Sequence, residues 1–472
     1  MAQPFVEPCS RGIIDAEPCP RELGREIPPQ HRRMVLTACV LASSMAFIDG
    51  SALTVALPRL RAAVGADFAS VQWVLNGYVL ALASLTLIGG ALADTYGKAR
   101  MLALGCLLFG TASIACAMAP SIAWLIAARI TQGTAAALLT PASLALIGAT
   151  YPKTERNRAI AVWAAASSLT TAGGPVLGGW LTETFGWQAV FWINPPIAVA
   201  AVALLWAFAP EDRREPRRFD IIGAAIIAAA LGALAWALSQ IGQRASQSAD
   251  AAIVLVAALG FVGLVAYVFW ERASDHPMTP PRLAQNRWFF GLNVATLLIY
   301  AGVSIMFFLV PFDLVDRRGL PSTGAGLAFL PFTLGVGLLS RLFGRLADAI
   351  GARAMLIGGP VGAALAYVWL ALAQDGSLTA GVLGPLALLG VSFAVLVAPL
   401  TASVMSSVQQ ADEGLASGIN NAASRVAQLA GVAMAAGLGA IAAGYQVGLI
   451  AAAAASVAGA LVMALLVPVP GR

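Results

Sequence analysis

The chain has 472 residues, 59% of them hydrophobic and 11% charged, with a formal net charge of +5. A soluble domain carries about 45–50% apolar and about 25% charged residues, so a water-soluble fold of this size is excluded and lipid surrounds most of the chain. The five cysteines include no C-x-x-C pair and no neighbouring histidine cluster, which argues against a metal centre or a disulfide framework.

The first 33 residues hold six prolines and charges of both signs, without the apolar core of a signal peptide. They read as a disordered cytoplasmic tail, with the first apolar segment retained as an anchor. About 20 apolar residues make one helical crossing, and fourteen segments qualify. Crossings 1 to 6 lie at 34–58, 73–93, 101–119, 122–150, 159–181 and 188–209. Crossings 7 and 8 follow at 220–241 and 251–271, and crossings 9 to 14 at 288–311, 323–347, 354–373, 378–406, 415–440 and 445–467. The runs are too long and too uniformly apolar for barrel strands. The expected fold is all-α: a tail (1–33), a six-helix bundle (34–209), a linker with two extra crossings (210–287) and a second six-helix bundle (288–472).

Crossing 1 carries "AFIDGSALTVALP", with Asp49 nine residues before Pro58, or about 13 Å deep at ~1.5 Å per residue. Crossing 4 carries Arg129 about 10 Å from its start on the same scale. Ionisable residues inside a span cost roughly 2.5–3.5 kcal/mol or more and are functional candidates by default. At similar depth the two can pair if crossings 1 and 4 touch. Desolvation favours the neutral form of a carboxyl and a nearby guanidinium favours the charged form, so such a pair can trade a proton for a substrate. A static lock between the helices is the alternative.

Crossing 2 offers Trp73, Asn76 and Tyr78, and crossing 4 offers Gln132, as candidates to line a substrate path; core packing is the competing reading. "GALADTYGKAR" (90–100) follows crossing 2 and carries Gly90, Asp94, Gly97 and Arg100. Crossing 5 contains "TTAGGPVLGGW", with Gly174, Pro175, Gly178 and Gly179 in mid-helix. In a bundle such glycines let helices approach closely, and neighbours satisfy what proline leaves free. Asp220, at the start of crossing 7, faces the positive end of a helix dipole. Asp313 and Asp316, at the end of crossing 9, read as solvated loop residues. Arg341, in crossing 10, reads as a snorkelling side chain. "GRLADAIGAR" (344–353) follows crossing 10 and repeats the first phrase 254 residues on, with Gly344, Asp348 and Gly351 in register with Gly90, Asp94 and Gly97. His31 and His276 fall in predicted loops, and no catalytic triad, nucleotide loop or paired histidine ligands appear. An enzyme is therefore not expected.

With the N-terminus inside, the inside segments hold 20 Lys and Arg and the outside loops hold 5. This bias names the cytoplasmic face and accounts for the net positive charge without nucleic acid. Eight crossings separate the two copies of the phrase, so both lie on that face. Parallel six-helix repeats related by an axis along the membrane normal do this in many transporters.

In these residues the chain resembles the fourteen-helix drug:proton antiporters of the major facilitator superfamily. "GALADTYGKAR" resembles the signature loop after helix 2, "RITQGTAAALLTP" (129–141) the helix 4 motif, "GGPVLGGW" the antiporter motif of helix 5 and "DGSALTVALP" the helix 1 motif. "WQAVFWINPP" (187–196) and "GLASGINNAASRVAQLAG" (414–431) also look like this group. The resemblance implies that Asp49 takes and releases protons with help from Arg129, while Asp94, with Arg100, latches onto the start of crossing 13 near Gly414. Lys98 and Arg100 are fewer basic residues than the loop usually carries, Gln188 stands where arginine is common, and Arg353 falls one place earlier than Arg100. The implied activity is proton-coupled export of small amphipathic or lipophilic compounds such as drugs, from the cytoplasmic (inner) membrane of a bacterium. The cofactor expectation is none beyond the proton gradient. The expected partners are substrate, protons and the bilayer, with a monomeric transporter and a periplasmic adaptor with an outer-membrane channel left open. A dedicated exporter of one metabolite, a proton-coupled importer, or a non-transporting receptor or scaffold are the alternatives.

Overall fold

A computed structural model describes residues 28–210, 220–243, 251–274, 283, 285–408, 413–439 and 444–466; these are helices and connecting turns, with no strand among them. Most of the N-terminal tail, the basic loop before crossing 7 and His276 lie outside the described residues. The first half comprises α1 (Pro29–Val64), α2 (Phe68–Tyr96), α3 (Lys98–Ala117), α4 (Ile122–Thr150), α5 (Lys153–Phe185), the short α6 (Ala189–Trp192) and α7 (Asn194–Phe208). Next come α8 (Ile221–Gln243) and α9 (Ala251–Ala273). The second half comprises α10 (Arg287–Phe312), α11 (Ser322–Leu327), α12 (Leu330–Ile350), α13 (Ala352–Leu372), α14 (Gly384–Ser406), α15 (Glu413–Gly439) and α16 (Gly444–Leu466). Among the described residues, ten helical stretches are long and apolar enough to cross a membrane; α2, α5, α8 and α15 are not among them, and α5 and α15 are the more polar of these. Both carry polar side chains that bond to other helices: Trp163 Nε1 of α5 donates to Ser43 Oγ of α1 at 2.9 Å, and Asn420 Nδ2 of α15 donates to Thr296 Oγ1 of α10 at 2.9 Å.

The repeat heard in the sequence is a repeat in packing. In the first half α1 packs on α5 and α7, α3 on α4 and α7, and α2 on α4. In the second half α10 packs on α15 and α16, α13 on α14 and α16, and α12 on α14, the same pattern. The doubled phrase performs the same turn twice. Gly97 (φ 108°) and Gly351 (φ 91°) each end one helix and begin the next with a backbone conformation that a side chain would strain. The inserted pair packs on itself, with α8 also against α2 and α15. Most of α9's apolar surface is exposed, including Leu255, Leu259, Phe261 and Phe269, as suits a helix bathed in lipid.

Several boundaries differ from expectation. Helix α1 starts at Pro29 and takes in His31, whose ring meets Phe208 edge-on at 5.2 Å. It also runs past Pro58 to Val64, so Asp49 lies nearer mid-helix than the sequence reckoning put it. Asp67 then caps α2 by accepting from Ser70 N at 2.9 Å, and this hydrogen bonding holds its carboxyl below the usual range. Crossing 6 is broken at Ile193, just before Pro195 and Pro196, and crossing 10 at Ala328 and Phe329, just before Pro331, because each proline removes a helical donor. Asp313 corrects the loop reading. It is buried in a π-helical turn (Asp313–Arg317) that follows α10, where it accepts from Arg317 Nε and, at 2.9 Å, from Arg318 Nε. Two guanidiniums satisfy a carboxylate that would otherwise be costly to bury. Asp220 caps α8 as expected, accepting from Gly223 N at 2.8 Å and also from Trp270 Nε1.

Candidate functional site

The contact of α1 with α4 brings Asp49 and Arg129 together. Arg129 Nη1 donates to Asp49 Oδ2, and both side chains have no exposed surface. Three more helices complete the shell. Gln132, one turn beyond Arg129, donates from Nε2 to Asp49 Oδ1 at 2.9 Å and accepts from Arg129 Nη1 at 2.7 Å. Asn194, at the start of α7, reaches Asp49 Oδ1 at 3.5 Å and Ser113 Oγ of α3 at 2.9 Å. Ser113 in turn donates to Phe191 O at 2.9 Å. Arg129 Nε donates to Val74 O of α2 at 2.9 Å, and the Tyr78 ring lies 4.2 Å from its guanidinium carbon. Arg129 Nη2 and Asn194 Oδ1 are buried without a protein partner. Asp49 thus shares its two oxygens among one cation and two amides. All three partners donate to it, the arrangement a carboxylate requires.

The α2 candidates do not line the central cavity. Tyr78 lies beneath Arg129 and donates to Ala46 O at 3.2 Å. Asn76 is fully buried, as is Gln72 one turn before it, and the amide groups of both lack partners. Trp73 is half-buried outside the cavity wall, and Gln132 belongs to the ion-pair shell. The cavity itself, about 380 Å³, lies where the halves meet and is walled by α1, α5, α10 and α15 together with Leu75 of α2. Its lining includes Gly50 and Ser51, the residues that follow Asp49. A conformational change in α1 is therefore felt by the ion pair and by the cavity together.

The glycines of α5 face two ways. A Cβ on Gly178 would stand 2.3 Å from Ala52 O, and one on Gly174 would overlap Ser51 Oγ, so these two seat α5 on α1. A Cβ on Gly179 would stand 2.3 Å from Ser322 O, and one on Gly326 would stand 2.3 Å from Pro175 O. That second face joins α5 to α11 across the two halves, assisted by Ser322 N donating to Glu183 Oε2 at 2.8 Å. At the same end Arg61 pairs with Asp316 at 3.2 Å and covers the Phe68 ring at 4.0 Å. At the opposite end, Gly90 and Gly344 take equivalent places against Pro141 and Ala398. The side chains of Asp94, Asp348 and Arg341, like those at the start of α15 around Gly414, lie outside what is described, so the latch stays an expectation. Arg100 is exposed.

Sequence reasoning gave no role to Ser113, Asn194, Asp313 or Arg425. Asn194 was within reach, because it precedes the paired prolines that start α7 facing Asp49. Ser113 carries no signal among the small residues of α3. Cys39, Cys106 and Cys116 are buried and form no disulfide, and Cys116 Sγ donates to Gln132 Oε1 at 3.5 Å. Among the described residues no cluster of potential ligands could hold a metal.

The chain matches the family profile described as Major Facilitator Superfamily over residues 39–270 and 292–472. It is 35% identical over 406 residues to the multidrug resistance protein Stp of Mycobacterium tuberculosis (strain CDC 1551 / Oshkosh), covering 85% of this chain and 74% of that one. It is 34% identical over 403 residues to the cephamycin export protein CmcT of Amycolatopsis lactamdurans, covering 82% and 81%. A probable actinorhodin transporter of Streptomyces coelicolor is 32% identical over 419 residues, covering 86% and 72%. The crystal structure of a peptide transporter POT in complex with sulfate superposes with a TM-score of 0.68 over 92% of this chain and 94% of that one, at 16% identity, a likeness of fold. With its twofold-repeated helix packing and this match along both halves, the chain belongs to the Major Facilitator Superfamily.

Proposed function

We propose that the chain is a proton-driven exporter of small amphipathic or lipophilic compounds, with fourteen crossings, both termini cytoplasmic and the inner membrane as its seat. The observation that carries the reading is the fully buried Asp49–Arg129 pair, set on α1 directly behind the central cavity. The names of the relatives, a multidrug resistance protein and a cephamycin export protein, point the same way. On this reading the end pinned by Arg61, Glu183 and Ser322 is the outer end. Tilting of the halves opens it, water reaches Asp49, and a proton displaces Arg129 from the carboxylate. Rearranged α1 then releases substrate from the cavity, and return of the halves lets the proton leave inward.

Inside-out membrane vesicles containing the full chain and energised with an acidic lumen test it. An amphipathic fluorescent dye is expected to accumulate in them and to leave when the gradient is collapsed with nigericin. Accumulation unaffected by the gradient overturns proton coupling. No accumulation of any of a panel of toxic amphiphiles favours the receptor or scaffold alternative.

A smaller effect is expected at Gln132, which bonds both partners of the pair. Gln132→Leu leaves a carboxylate oxygen and a guanidinium nitrogen each short of a hydrogen bond, a loss of about 1–3 kcal/mol. Thermal unfolding of the purified protein should show the loss, and the pH–rate profile of vesicle transport should shift. Unchanged values for both would remove Gln132 from the coupling shell.

A further inference from the structure

The central cavity contains a cation that the ion pair does not explain. Arg425 lies in α15 and is the one charged residue among the described residues that line the cavity. Its Nη1 donates to Gln428 Oε1 at 3.3 Å, and its guanidinium carbon lies 6.0 Å from the Phe47 ring centroid. Among the described residues no carboxylate lies within ion-pair distance of it. Asp49, the nearest acid in sequence to the α1 wall, has no exposed surface, and its oxygens are committed to Arg129, Gln132 and Asn194. The ion pair is neutral as a unit and Arg425 is not. A half-buried guanidinium in a membrane-embedded site is costly when nothing balances it.

The surroundings say what would balance it. Asn421 lines the same wall with an amide that can donate beside the guanidinium, while the Ser424 hydroxyl donates to Asn421 O at 2.7 Å. Tyr300, Phe307, Phe308 and Phe47 supply broad apolar faces. A cationic group, an amide and aromatic walls around one cavity match a molecule with an oxyanion at one end and a flat or bulky apolar body at the other. A guanidinium engages a carboxylate through two parallel N–H donors and holds it more strongly in a site shielded from water than in bulk.

We infer that the cavity is an anion-selective substrate site, taking amphipathic carboxylates with the carboxylate on Arg425 and the apolar body against the aromatic walls. The inference rests on the exporter reading for its physiological meaning and on the cavity alone for its chemistry. Lipophilic cations are disfavoured there by the same uncompensated charge.

The test uses the full chain in lipid nanodiscs and three probes sharing one pyrene body: pyrenebutyrate, its methyl ester, and a trimethylammonium counterpart. Binding is read by fluorescence and corrected with empty nanodiscs. The native chain is expected to bind the carboxylate at least about tenfold more tightly than the ester, equivalent to about 1.4 kcal/mol, and the cation most weakly. Arg425→Gln should bring carboxylate and ester within about twofold, and Arg425→Lys, which keeps the charge and loses the fork, should keep part of the preference. Gln428→Glu places a carboxylate on the guanidinium without removing it, and should also level the two probes. Retained ester binding shows that the variants are folded; should Arg425→Gln lose it, Gln428→Glu carries the test. Equal binding of carboxylate and ester by the native chain, or a preference that survives both Arg425→Gln and Gln428→Glu, overturns the inference. Proteoliposomes with an imposed pH gradient separate this outcome from the exporter reading. Carboxylate preference in binding without gradient-driven movement sinks the exporter and leaves the anion site. Equal movement of carboxylate and ester keeps the exporter and sinks the selectivity.

Discussion

Asp49→Asn is expected to reduce gradient-driven transport to background, a loss of a hundredfold or more, while the protein still inserts. The asparagine keeps the shape and accepts from Gln132, but it cannot carry a proton between the two sides. The substitution also leaves Arg129 as a fully buried cation without its anion. Breaking a buried pair by removing one partner costs about 3–5 kcal/mol, so lost transport alone could reflect a weakened protein. The double variant Asp49→Asn/Arg129→Gln resolves this. It replaces the pair with two neutral amides that can bond each other, and replacing both partners of a buried pair is often close to neutral. Its thermal stability should recover most of what Asp49→Asn loses, and its transport should not recover at all. Wild-type pumping by the double variant would show that the carboxylate is a lock between α1 and α4 and that protons couple elsewhere.

The sequence made half of this site legible. Asp49 and Arg129 stand out because charge in an apolar run is costly, and their depths matched before any contact was known. The doubled phrase announced the twofold packing, since Gly97 and Gly351 serve the same turn. What stayed hidden was neutral or misplaced. Gln132, offered only as a path-lining residue, and Asn194 and Ser113 carry no cost signal in a membrane span; the amides converge on Asp49 from α4 and α7, and Ser113 of α3 holds both amides. Asp313 was assigned to solvent because it follows an apolar run, yet the π-helical turn folds it back beneath Arg317 and Arg318. Arg425 lies inside the apolar run of crossing 13. Its meaning depends on which wall it faces and on the absence of an acid beside it, and neither is written in the local sequence. The candidates on α2 do not line this cavity, for the converse reason. Aromatic and amide residues in a span look like a binding surface, but α2 turns Tyr78 toward Arg129 and keeps Asn76 inside the bundle.

The seal between the halves yields the second large effect. Gly179→Val should raise passive proton leak through the protein several-fold and cut the substrate moved per proton. A Cβ at this position would lie 2.3 Å from Ser322 O and 3.0 Å from Ser322 C, which are backbone atoms and cannot swing aside. The reciprocal glycine, Gly326, meets Pro175 O at the same 2.3 Å, so the two helices touch backbone to backbone along this edge. Any side chain there must push α5 and α11 apart, and the partners that span the gap, Ser322 N on Glu183 at 2.8 Å and Thr323 Oγ1 on Gly179 O at 3.4 Å, lengthen with it. The paired charges nearby cannot hold the edge closed, because exposed pairs such as Arg61–Asp316 contribute only about 0–1 kcal/mol. Gly173 is the internal control: a Cβ there meets nothing within 4 Å, although it lies in the same helix and the same run of glycines. Gly173→Ala should therefore leave leak and coupling unchanged and gain helix propensity of up to about 1 kcal/mol. A pH-sensitive dye trapped in proteoliposomes reads the leak of both variants. Leak in Gly179→Val no greater than in Gly173→Ala would mean that the barrier to protons lies at another depth, and that the close approach of α5 to α11 serves packing alone.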